Sequence, residues 1–133
     1  MREWRQEGVA ALPTILVMSA ILIEVAVVSV VIANIVSNTR FSERLAAEAY
    51  GVARSGAQDV VLKVLREKGC PTSLPRLNVG SNYADVTCAE NSGIVTVDSI
   101  GTAFTRKKKV EAVLVVDSIT SEVSLQSFKE VSL

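Results

Sequence analysis

Apolar positions change their spacing twice along the chain. From Val9 to Val36 almost every residue is apolar or small and Glu24 is the only charged one. That is a run of about 28 residues where roughly 20 suffice to span a bilayer as a helix. The apolar positions then thin to Phe41, Leu45, Ala49, Val52, Gly56, Val60 and Val64, spacings of three and four that predict an amphipathic helix. No proline intervenes between Thr14 and Cys70, so the two stretches predict one helix from about Ala10 to Lys68, roughly 90 Å long. Its first half has no apolar counterpart in the remaining sequence and is expected to protrude. The second half carries Arg40, Glu43, Arg44, Glu48, Arg54, Asp59, Lys63 and Glu67 on its polar side, while Ala46, Ala47, Ala53, Ser55 and Ala57 keep its profile thin. Small residues admit a close partner, and the C-terminal region of the same chain is the expected one.

Gly69 after the last periodic turn, Arg66 and Lys68 within it and Pro71 beyond it predict the helix end. Cys70–Gly80 (CPTSLPRLNVG) reads as a loop. From Ser81 the period becomes two. Strands are expected at Asn82–Cys88, Gly93–Thr105, Lys108–Asp117 and Glu122–Val131, with turns near Ala89–Ser92, Arg106–Lys107 and Ser118–Ser121. Ala112, Leu114 and Val116 share the face expected to meet the helix. Short connections favour an antiparallel meander. The expected class is α+β, a long N-terminal helix packed through its second half on a four-stranded antiparallel sheet. The expected organisation is a short charged segment at 1–8, a membrane-length helix at 9–36, and a head at 37–133. The head divides into an amphipathic helix (37–68), a loop (69–80) and a sheet (81–133).

Composition sharpens this plan. At 133 residues and 49% hydrophobic, the chain is too apolar for an ordinary soluble protein of its size. Fourteen basic residues balance fourteen acidic ones, so no global field steers the molecule toward nucleic acid. There is no histidine, which removes histidine-dependent nucleophilic catalysis and histidine metal ligation. Two cysteines cannot make a zinc site alone. Asp85, Glu90, Asp98 and Asp117 show no spacing that pairs two carboxylates, and no phosphate-binding glycine loop occurs. No enzyme activity, cofactor, metal or small-molecule substrate is expected.

Local features remain. Cys70 and Cys88 would close a loop of about 17–19 residues if bonded, contributing about 3 kcal/mol; the other reading is two reduced structural cysteines. Arg106, Lys107, Lys108 and Lys109 form the one basic cluster. At an exposed turn they either keep the tip solvated and unaggregated or touch DNA phosphates.

A charged leader, MREWRQEG, ends in Gly8, and the apolar run continues unbroken into an amphipathic helix before a small sheet. This plan resembles the type IV pilin family, including the pseudopilins of type II secretion, and is most similar to its minor pilins. Ala46–Leu62 (AAEAYGVARSGAQDVVL) is similar to the "AEAG…A" stretch frequent in minor pilins. The resemblance implies cleavage between Gly8 and Val9 by a membrane prepilin peptidase and N-methylation of Val9. It also implies residence in a bacterial inner membrane before transfer to an extracellular or periplasmic filament of other pilin subunits. Packing there would use the Leu16–Ile35 surface, with Leu16, Ile21, Ile23, Val28 and Ile35 prominent. Glu24 would pair a cation such as a neighbouring subunit's Val9 amine; the alternative is a neutral or solvated carboxyl. Pro13 stands where major pilins have glutamate as the fifth mature residue, and Val9 where Phe or Met is commoner, which points away from the shaft-building subunit. The competing expectation is a stand-alone membrane-anchored binding module that never assembles.

Overall fold

The computed structural model describes residues 4–133, with side chains from Ala11 onward. The chain divides into unit 1, residues 1–41, and unit 2, Ser42–Leu133. One helix, α1 (Trp4–Glu67), contributes to both. It is followed by β1 (Leu77–Val79), β2 (Asn82–Asn91), β3 (Ile94–Ala103), β4 (Arg106–Val116) and β5 (Val123–Val131). The class is α+β, a long N-terminal helix packed on an antiparallel sheet.

Among the described residues unit 1 is helix alone. Pro13 lies inside it, and every residue from Ala11 to Phe41 is exposed.

In unit 2 the five strands pair in sequence order, all antiparallel. The expected four strands are thus five. The additional one, β1, falls within the stretch expected to be loop and pairs Leu77 with Ala84 and Val79 with Asn82. The three residues of β1, set between Arg76 and the Gly80 turn, carry too little pattern to announce a strand; pairing with β2 creates it. The first expected turn also moves. Residues 89–91 continue β2, and the chain reverses at Ser92–Gly93, both with positive φ, as the primed two-residue hairpin turns require.

The helix meets the sheet through small side chains. Ala49, Val52, Ala53, Ala57, Val60 and Val64 of α1 are buried. Against them lie Ala84, Val95, Val97, Val110, Ala112 and Leu114, all fully buried. Val60 and Val64 join Val95, Val97, Ala112 and Leu114 in one cluster, and Ala53 and Ala57 join Val110 in a second. The approach is closest at two glycines. A Cβ on Gly56 would lie 2.7 Å from Ser99 Oγ and 2.8 Å from Ala84 Cβ, and one on Gly101 would collide with the Ala49 carbonyl oxygen and the Ala53 amide nitrogen. Ser99 Oγ is buried beneath the helix at the Gly56 contact, with no hydrogen-bond partner.

On the outer face, Asp98 and Glu111 lie directly opposite each other in the β3–β4 register. Their repulsion is offset by flanking cations, Lys109 at 3.1 Å from Asp98 and Lys129 at 3.2 Å from Glu111. Arg76, just before β1, donates to both oxygens of Asp85 at 2.7 and 3.2 Å and lies 4.1 Å over the Tyr83 ring. The Asp85 hydrogen bond raises the Arg76 pKa further above its already high value. These contacts tie the loop before β1 to β2. At the β4–β5 connection the Asp117 carboxylate accepts from the amides of Thr120 and Ile119 at 3.0 and 2.7 Å, an Asx-type closure of the turn.

Candidate membrane and assembly surface

The apolar run of unit 1 makes α1 the one helix among the described residues that is long and apolar enough to cross a membrane. A lone apolar helix can enter lipid because its backbone polar groups are satisfied within the helix, and hydroxyls within the run and just beyond it are satisfied as well. Ser19 Oγ donates to the Leu16 carbonyl at 2.9 Å, Ser29 Oγ to that of Val25 at 2.7 Å, and Thr39 Oγ1 to that of Ile35 at 3.0 Å. Back-bonding of this kind leaves the carboxylate of Glu24 as the main polar obstacle in the run.

Helical spacing sorts the side chains. Ile21, Val28 and Ile35, seven apart, share a face, and Leu16 and Ile23 share another. All five are between 51% and 65% exposed. Glu24 is three residues from Ile21 and four from Val28, so it stands on the first of these faces. It lies thirteen positions after Ala11 and twelve before Val36, roughly 20 Å of helix on either side, which places it near the middle of the apolar length. A carboxylate there costs about 2.5–3.5 kcal/mol in a bilayer. Gly8 and Val9 lie outside the residues whose side chains are described.

Unit 2 holds the remaining candidates. Cys70, just past the helix end, is bonded to Cys88 on β2, with Cα atoms 5.8 Å apart. The same corner is closed by Glu90, whose Oε2 accepts from the Cys70 amide at 3.3 Å. Among the described residues no three cysteines or carboxylates group as a metal site.

The basic cluster departs from expectation. The turn lies at Phe104–Thr105 rather than Arg106–Lys107, and Arg106–Lys109 opens β4, with Arg106 opposite Ala103 and Lys109 opposite Ile100. Four cations are poor strand formers alone; pairing with β3 imposes the conformation. The pleat then divides them between two faces. Arg106 Nη2 donates to Ser42 Oγ at 2.5 Å, Lys108 pairs with Glu130 at 2.5 Å, and Lys109 pairs with Asp98 across the outer face. Phe104, beside them at the turn, is 79% exposed with φ +53°. Its neighbourhood to the cations was visible in the sequence, but its position at the turn was not. Comparison with protein-family models, with curated proteins and with solved structures found no match to this chain.

Proposed function

We propose that the chain is a structural subunit, a minor pilin or pseudopilin, of a type IV pilus-like or type II secretion-like filament. It would be processed after Gly8, held in the inner membrane by unit 1 and assembled through the same helix. The observation that carries this reading is the continuity of α1, whose apolar exposed length runs without interruption into a half that is locked on a sheet. Such a helix can leave lipid for a bundle of like helices without refolding the head, because both environments bury the same apolar side chains. Glu24 on the Ile21–Val28 face then serves selectivity: unpaired in a bundle it opposes assembly, and paired with a cation it favours it.

Processing leaves a chemical record. Intact mass of the membrane-extracted chain is expected to show loss of residues 1–8 and one added methyl group at Val9. A retained, unmodified MREWRQEG segment would overturn the filament reading and leave a membrane-anchored binding module.

A further inference from the structure

The packing of α1 on β3 fixes which end of unit 2 the basic cluster occupies. Gly101 sits against Ala49 and Ala53, Ser99 against Gly56, and Val95 and Val97 in the cluster with Val60 and Val64. Strand β3 therefore runs opposite to the helix, and the Phe104–Thr105 turn falls beside Ser42, where Arg106 is bonded. Ser42 is the first residue of unit 2 and follows Val36, the last of the apolar run, by six positions. The turn thus stands at the end of unit 2 that carries its first residue, Ser42. Charge is distributed accordingly. Lys108 and Lys109 are neutralised by Glu130 and Asp98, and on the adjoining helix turns Arg44 pairs with Glu48, with Glu43 alongside. Arg106, bonded to a neutral hydroxyl, and exposed Lys107 leave this tip positive. The opposite end is acidic on balance, with Glu67, Glu90, Asp117 and Glu122 against Arg66 and Lys68.

We propose that the β3–β4 turn is a contact site for anionic lipid headgroups, with Phe104 entering the interfacial region and Arg106 and Lys107 meeting lipid phosphates. The inference rests on unit 1 residing in a bilayer. Each cation near an anionic surface strengthens binding about fivefold, too little for a free protein. Here only six positions of chain connect the apolar run to Ser42, which keeps the turn at a high effective concentration near the membrane, so two cations and one aromatic ring are sufficient. An exposed apolar ring next to Arg and Lys has the composition of segments that bury apolar side chains at the headgroup boundary and pair cations with anionic lipid. DNA is the poorer occupant, because an anionic bilayer repels a second polyanion from the same place.

The test uses the full chain reconstituted in phosphatidylcholine vesicles with or without phosphatidylglycerol. A fluorophore is placed on Thr105→Cys or, as a reference, on Val27→Cys, and quenching by bromolipids is read; the native cysteines are bonded to each other and do not label. Val27 should be quenched in both compositions. Thr105 should be quenched with phosphatidylglycerol and several-fold less without it, and the Arg106→Ser/Lys107→Ser pair should lower its docked-to-undocked ratio about 25-fold. Quenching at Val27 with none at Thr105, or equal Thr105 quenching in both compositions, overturns the proposal while leaving the membrane reading intact. No quenching at Val27 overturns both. Protection of the Thr105 label by added duplex DNA without lipid quenching assigns the cations to nucleic acid and overturns the proposal as well.

Discussion

Two glycines show how strongly single residues feel their surroundings. Gly51 is helical and exposed, with open space where a Cβ would stand, whereas Gly101 faces the helix backbone at Ala49 and Ala53. Gly51→Ala should therefore stabilise the head by about 0.8–1 kcal/mol through helix propensity. Gly101→Ala should destabilise it by about 3 kcal/mol, since the obstructing atoms are backbone and cannot swing aside. Thermal unfolding of the two variants in detergent checks the opposite signs; shifts in the same direction would refute the close packing. Asp117 supplies a pH signature. Amide donation from Thr120 and then Ile119 lowers its pKa, so the folded state holds the carboxylate charged more readily than the unfolded chain does. Its contribution is complete above the ordinary carboxylate value of about 3.9 and is lost as pH falls through the lower folded value. Asp117→Asn should flatten that part of the acid-unfolding curve, and parallel curves for wild type and variant would count against it.

At the level of elements, legibility followed how much of an element's cause is local. The amphipathic half of α1 announced itself because a stripe at helical spacing is written in consecutive residues, and Ala49, Val52, Gly56, Val60 and Val64 are buried as that stripe requires, while Leu45 is half-buried and Phe41, its first expected member, is exposed. Gly69 was the expected terminator. The left-handed residue is instead Lys68, at φ 61°, while Gly69 allows close approach of Glu90. Strand β1 and the first two residues of β4, Arg106 and Lys107, were illegible because three residues and a pair of cations carry too little pattern alone, and their ladders are supplied by β2 and β3; Lys108 and Lys109 lie in the strand expected from Lys108. The helix end is tied to β2 by Cys70–Cys88, at a sequence separation of 18. Its reduction should lower the stability of unit 2 by about 3 kcal/mol through the wider freedom of the unfolded chain. Denaturant midpoints before and after reduction measure this, and coincident midpoints would show that the Glu90 and core contacts suffice alone.

For the molecule as a whole, the chemistry is divided between a helix that buries nothing of its own from Ala11 to Phe41 and a head with a small-residue core. The filament reading predicts a processed and methylated Val9, and the lipid reading predicts composition-dependent docking of the Phe104 turn. Both place function in surfaces rather than in a cavity. The sequence alone determined the apolar run, the single charge within it, the helix stripe and most of the strands, because each depends on the order and spacing of neighbouring residues. Tertiary structure decided the fifth strand, the partners of the cations, the bonding of Cys70 to Cys88 and the end of unit 2 at which Phe104 and Arg106 stand. Those features arise between segments far apart in the chain, where only the pairing of strands and the approach of the helix set which atoms meet.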